Sequence, residues 1–384
     1  MTREIIRFGF LPLTDAAIPI VAHEMGFAAE EGVPLELSRE TSWANIRDRM
    51  AVGHFDAAHL LAPMPIAAAL QLMPMSPKVM VPMALGLGGN AVTVSSILWT
   101  EMESHGATSV SSAREVGNAL RQVLRKRAHA GLPKLVFGIV HAFSAHNYDL
   151  CYWLAECDID PRHDISIAVV PPPLMPEAMR SGQLDGYCVG EPWNTASVVR
   201  GAGVIATTKI AIWKDSPEKV LGVRESWADK HGDSLQALLR AFDRSARWCA
   251  DSNNVSALAS LLSLPAYLSQ PTEVILPALT GALQIGGGTP RSIPGFLTFD
   301  APHSTMPEPA HAAWFYSQMV RWGQAVFSKQ NLEQAMACYR PETYASAIGH
   351  HHDRRGIIDG FFDGRIFDPV KIESYLASLP FANA

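Results

Sequence analysis

The chain has no Cys-x-x-Cys pair, no P-loop, no strand-borne Gly-x-Gly-x-x-Gly, no Gly-x-Ser-x-Gly and no His-Glu-x-x-His. These absences remove the sequence marks of zinc ribbons, nucleotide and dinucleotide sites, serine hydrolases and zinc proteases. Charge is also scarce: 18% of residues are charged and the net charge is −6. No general basic surface for nucleic acid or anionic lipid exists, and no aromatic-basic RNA motif is present, so any anion site must be local. No apolar run is long enough to span a bilayer. "MPMSPKVMVPMALGLGG" is broken by prolines and reads as strand and loop. "MTREIIRFGFLPL" lacks the basic lead, apolar run and small-residue cleavage site of an export signal. The five cysteines (151, 157, 188, 249 and 338) are odd in number. They fit buried thiols in a reducing compartment, and the expectation is a cytoplasmic protein.

What is present is a chain of 384 residues, 48% hydrophobic, long enough for two domains and a sizeable core. "EIIRFGF", "VPLELS" and "FDAAHLL" read as strands. Between them lie a helix from Thr14 or Asp15 to Gly26 and a second from Trp43 to about Gly53. The same β-α-β-α-β order returns in "KLVFGIV", "NYDLCYWLAE", "ISIAVV", "PLMPEAMRSG" and "LDGYCVG". Gly53, Asp56, Ala57 and Pro63 align without gaps on Gly182, Asp185, Gly186 and Pro192. A Gly-x-apolar-Asp helix exit is common, but the repeated order predicts two similar α/β lobes. Ligands of such sheets sit beyond the carboxyl ends of the strands. The Thr14-Asp15, Thr41-Trp43, His141-His146 and Gly190-Trp193 loops are then the walls of one cleft. From about residue 220 the chain reads mainly as helices, as in "DSLQALLRAFDRSARWCAD". "FLTFDAPHSTMPEPA" is a long polar connection.

"SRETSWANIRDRM" allows two readings of Trp43. Thr41 or Ser42 caps a helix, and Trp43, Ile46 and Met50 share one face, as a core tryptophan would. The other reading is a ligand wall: a helix N-terminus attracts anions, and the indole adds a flat surface and one N–H donor. "GHHHD" at 349–353 reads as a solvated loop rather than a metal site, because adjacent histidines point in different directions.

The segments "LTDAA", "SRETSWANIRD", "DAAHLLAPMP", "YWLAECDIDP", "VVPPPLM", "GYCVGEPWN", "WKDSPEKVLGV" and "FFDGRIFDP" resemble the nitrate-binding proteins of bacterial nitrate/bicarbonate ABC importers. The resemblance covers nearly the whole chain. It implies a two-lobed periplasmic-binding-protein-like (type II) α/β fold with a central cleft. Lobe I is expected at 1–92 and 213–384, and lobe II at 93–212. Without an export signal, the chain resembles the cytoplasmic nitrate/nitrite sensors of NasS type. This implies an RNA-binding antiterminator of ANTAR type as partner, and no direct contact with nucleic acid or membrane. Neither a cofactor nor a metal is implied.

The family's anion pocket maps onto Trp43, His146, Gly190 and Lys219. A glutamine of transport members has no counterpart; Gly88 stands nearest its place, with Asn90 close by. The resemblance makes Lys219 the cation, His146 and Trp43 N–H donors, and Gly190 a point of close backbone approach. Other readings stay open: Lys219 as a surface lysine replaced by Lys214, His146 as a helix buttress, and Glu191 as a hinge or as the group that orients Lys219. Two further functions stand beside the sensor. One is the binding component of an importer for nitrate, bicarbonate or a sulfonate. Bicarbonate is disfavoured, because family members for that anion hold a metal where Lys219 would repel it. The other is a pyrimidine-forming thiamin-precursor synthase, whose cysteine-rich site this chain does not reproduce.

Overall fold

A computed structural model describes residues 5–300, 304–349 and 356–382. Two five-stranded sheets organise it. In chain order the strands are β1 (Ile6–Phe10), β2 (Leu35–Arg39), β3 (Ala57–Leu61), β4 (Val79–Ala84), β5 (Asn90–Ser95), β6 (Val136–Ile139), β7 (Ser166–Val169), β8 (Gly186–Gly190), β9 (Gly203–Thr208) and β10 (Lys219–Arg224). The first sheet runs β2-β1-β3-β10-β4 and the second β7-β6-β8-β5-β9. In each, the first three strands are parallel, and the fourth, sent across from the other half of the chain, runs antiparallel to both neighbours. This is the two-lobed α/β fold expected, with its two halves exchanging one strand.

The repeat seen in the sequence is a repeat of hydrogen bonds. Gly53 and Gly182 both take a positive φ (78° and 73°), which lets the chain leave a helix without the clash of a Cβ. Asp56 then accepts from the Arg7 backbone N–H at 3.1 Å, and Asp185 accepts from that of Val136 at 2.7 Å. Each aspartate pins the entry of a strand to its parallel neighbour. Pro63 opens the helix Pro63–Ala69, and Pro192 precedes the helix Trp193–Val199. A cheap helix exit would not reproduce the carboxylate's partner as well.

The expected lobe boundaries differ in detail. All of β5 pairs in the second sheet, so a boundary between 92 and 93 would cut a strand; the chain crosses near 85–89 and again near 209–218. The helix Gly232–Ala250 joins the core of the first sheet through Phe242, whose ring lies 5.7 Å from Phe8. The helix Pro309–Arg321 faces the second lobe as well: Phe315 lies 6.2 Å from Tyr148, and Arg321 donates to Glu156 at 3.1 Å. The described helices after residue 213 therefore brace both lobes. Among the described residues, no helix is long and apolar enough to cross a membrane. All five cysteines are buried and unpaired, and burial raises their thiols, Cys151 and Cys157 to about 12. The histidines of "GHHHD" lie outside the described residues; Gly349 ends the helix Pro341–Ile348 at φ 76°.

The lobes also touch directly. Trp193 Nε1 donates to Pro12 O at 3.0 Å, and Thr14 N donates to Glu191 O at 2.8 Å. Trp193→Phe is expected to lower stability by about 1–3 kcal/mol, combining one hydrogen bond with lost ring packing. A urea melt measures it, and an unchanged midpoint would show that this lobe contact adds nothing.

Candidate functional site

The site is assembled from strand ends and helix starts, the parts of the chain where backbone N–H groups lack partners. Ser42 caps the helix Trp43–Ala51 by accepting from Asn45 N at 3.2 Å, which places Trp43 in the first turn. Ser144 caps the helix Ala145–Ala155 in the same way from Asn147 N at 3.0 Å, with His146 in its first turn. Asn90 opens β5, Gly190 closes β8, and the two are register partners. Lys219 opens β10. These five positions converge on one buried cluster.

Lys219 is wholly buried and donates to Asp15 Oδ2 and Glu218 Oε1, each at 2.8 Å. Its ammonium lies 5.6 Å from the centre of the Trp43 ring. The Trp43 ring is 5.5 Å from His59, whose Nε2 lies 3.1 Å from Asp15 Oδ1. His146 Nε2 lies 3.3 Å from Glu218 Oε1. The other Glu218 oxygen accepts from Asn90 Nδ2 and, at 2.7 Å, from Lys209, whose ammonium also pairs with Asp149 at 2.8 Å. The chain of contacts thus runs His59–Asp15–Lys219–Glu218–His146, with Lys209 and Asp149 hung on Glu218.

Burial sets the protonation states, and the neighbours correct them. Burial pushes His146 down to about 3 and lowers His59, so both rings are neutral. It also pushes the Asp15 and Glu218 carboxyls up, but the facing cations and rings outweigh it and hold both below the ordinary range. Asp149 rises to about 6 through burial, against the pull of Lys209. Burial lowers Lys209, yet Asp149 and Glu218 raise it overall.

Gly190 earns its place by close approach. A Cβ there would stand 3.2 Å from Asn90 Oδ1 and 3.3 Å from Leu13 Cδ2, with Asp15 Oδ2 at 3.6 Å, so a side chain would press on Asn90 and Leu13. Trp43 combines both readings of its segment: it is fully buried, and its Nε1 has no hydrogen-bond partner. Three expectations are corrected. Gly88 is not in the cluster; its N–H donates to Ser216 O at 3.0 Å, and a Cβ there would run into Phe296 O. Glu191 does not orient Lys219, because its carboxylate is turned to Thr195 N and Oγ1, both at 3.1 Å. Asp15 and Glu218 do the orienting. Lys214 is exposed and takes no part.

Sequence reasoning missed His59, Glu218, Lys209 and Asp149, and set Asp15 at a helix start on a cleft wall without a role toward Lys219. One signal was available. His59 in "AAHLL", Lys209 in "TTKIAIW" and Asp149 in "NYDLCYWL" are polar residues inside apolar runs, where burial demands a partner.

The NMT1-like family model matches residues 2–263. The nitrate/nitrite binding protein NrtA of Synechococcus elongatus is 32% identical over 98% of this chain and 86% of its own length. The bicarbonate transport ATP-binding protein CmpC of the same organism is 32% identical over 98% of this chain. The chain spans about half the length of such ATP-binding relatives, 53–55%. The crystal structure of the periplasmic nitrate-binding protein NrtA from Synechocystis superposes with a TM-score of 0.89 at 26% identity, covering 98% of both chains. The NrtA proteins so matched are named as nitrate-binding proteins and not as synthases. This chain belongs to the NMT1-like family, among the solute-binding proteins of NrtA type.

Proposed function

We propose that the chain binds nitrate and nitrite in the buried cluster and acts as an intracellular sensor of these anions. The observation that carries the ligand is the unpartnered Trp43 N–H, held in the same cluster as Lys219, His146 and Gly190. Nitrate is planar, singly charged and weakly hydrated, so one cation and a few N–H donors replace its water. The names of the NrtA relatives support the same ligand. Calorimetric titration with nitrate, nitrite, bicarbonate and sulfate tests this reading. It expects heat from the first two alone. Binding of bicarbonate in their place would overturn it and favour the chemistry named for CmpC.

The sensor role rests on the resemblance to NasS-type proteins. It puts the chain in the cytoplasm, holding an ANTAR-type RNA-binding antiterminator until the anion arrives. The alternative is the binding component of a nitrate importer, supported by the match to NrtA along 86% of that protein. Capture of the antiterminator on the nitrate-free chain, and its release by nitrate, is the expected result. Capture of importer membrane subunits instead would favour transport.

Trp43→Phe deletes the donor and keeps most of the ring. It is expected to weaken nitrate binding by about 1.5–3 kcal/mol, or roughly tenfold to a hundredfold. Because the ring is also core, stability should fall by about 1–2 kcal/mol, part of the cost of a full truncation. Titration and melting of the same preparation read the two effects, and unchanged affinity in the folded variant would remove Trp43 from the site.

A further inference from the structure

The buried cluster holds three carboxylates, Asp15, Asp149 and Glu218, against two ammonium groups, Lys209 and Lys219. With neutral imidazoles its net charge is −1. Each ammonium already lies between two carboxylate groups, so an entering anion competes with them for Lys219. A further anion in this interior meets an excess of its own sign, in surroundings that screen poorly.

The two imidazoles offer the remedy. His59 and His146 are both wholly buried, and each points Nε2 at a carboxylate, at 3.1 and 3.3 Å. None of the four ring nitrogens has a hydrogen-bond partner, the two Nε2–carboxylate approaches being close contacts without hydrogen-bond geometry, and neither does the Trp43 N–H beside His59. A neutral imidazole donates from one nitrogen only; an imidazolium donates from both. Protonation would let one ring serve its carboxylate and the anion together.

Resting on the anion reading above, we infer that the site takes up its anion together with one proton, which goes to the imidazole pair His59 and His146. The proton comes from solvent and adds to a ring nitrogen, so the anion and the new imidazolium enter as a neutral pair. His59, which lies on β3 outside the carried-over pocket, is thereby a member of the binding site. The groups facing the pair are Asp15 before the first helix, Trp43 on its own helix, and Asn90 on β5. Asp149 is on the His146 helix, Lys209 opens the helix Lys209–Ile212, and Glu218 and Lys219 lie at the start of β10. Without the anion, burial holds both rings below their ordinary value, so near neutral pH the proton is acquired on binding and is not already there.

The test is calorimetry of the full chain with sodium nitrate at pH 7.5, in phosphate and in Tris, whose heats of ionisation differ. The binding heat should change between the buffers by the amount for close to one proton taken up per anion. The dissociation constant should tighten close to tenfold for each unit of pH lowered between 8.5 and 7. Nitrate binding with the same heat in both buffers, and no pH dependence, overturns the inference while leaving the anion site standing. Absence of binding by nitrate and nitrite overturns both. His59→Gln and His146→Gln keep an N–H donor but cannot titrate, and circular dichroism checks their fold. Uptake should disappear in one of them. Uptake that survives in both and vanishes in Asp149→Asn would overturn the imidazole assignment.

Discussion

Lys219→Met is expected to abolish nitrate binding and to lower the stability of the ligand-free protein by about 3–5 kcal/mol. The lysine is wholly buried and is shared by Asp15 and Glu218, each at 2.8 Å. Removing it leaves Asp15 with the neutral His59 ring as its neighbour, and Glu218 with Lys209 as its one remaining cation. Uncompensated buried charge is what makes breaking such a pair expensive, far beyond the worth of a surface ion pair. Protonation of a carboxyl or of an imidazole would relieve part of the cost, so the loss should be smallest at low pH. Lys214→Met is the control: that side chain is exposed, and its replacement should change stability by no more than about 0.5 kcal/mol. Urea denaturation of both variants and titration with nitrate provide the measurements. A folded Lys219→Met protein of wild-type nitrate affinity would move the site elsewhere.

The second large effect is in the acid range. Ligand-free stability is expected to change little between about pH 6.5 and 4.5 and then to collapse. His59, His141 and His146 are all lowered by burial, His141 to about 4 and His146 to about 3. Below the unfolded imidazole value near 6.5, the unfolded chain binds protons that the folded chain refuses, so these three cost stability as pH falls. Three acids oppose them. Burial raises Asp149 to about 6, Glu191 to about 7 and Glu156 above its usual value. In that window the folded chain binds protons that the unfolded one does not, and stability is gained as pH falls. Below about 4.5 the compensation ends. Asp15 and Glu218, both held down by their cationic neighbours, are then ionised in the folded state and protonated in the unfolded one. Together they remove up to about 3 kcal/mol per pH unit, against a total stability of about 5–15 kcal/mol. Glu191→Gln deletes one opposing acid, so in that variant the decline should start nearer pH 6.5. Urea midpoints from pH 4 to 8 on both proteins decide it. A wild-type midpoint that falls steadily from pH 6.5 would sink the compensation.

Taken alone, the sequence determined the elements and their order, because the signals for these are local. A glycine at positive φ ends a helix, a serine three residues before a backbone N–H starts one, and an aspartate at a strand entry binds the neighbouring strand. Those rules act over a few residues, or twice over at matched places, so the double β-α-β-α-β pattern and the two lobes were legible. Resemblance then pointed to Trp43, His146, Gly190, Lys219 and Asn90, which the fold does bring together. What only the tertiary structure decided is the electrical state of that meeting place. Lys219 and Asp15 stand 204 residues apart, and Glu218 reaches Asn90 across 128. A lysine in a sequence carries no sign of whether its charge is spent on a carboxylate or left for a ligand. Charge balance is a property of everything within a few ångströms, and the crossing of β5 and β10 between the sheets selects those neighbours. At the same crossing the Gly88 backbone is spent on Ser216 and on a short antiparallel pairing with Leu297.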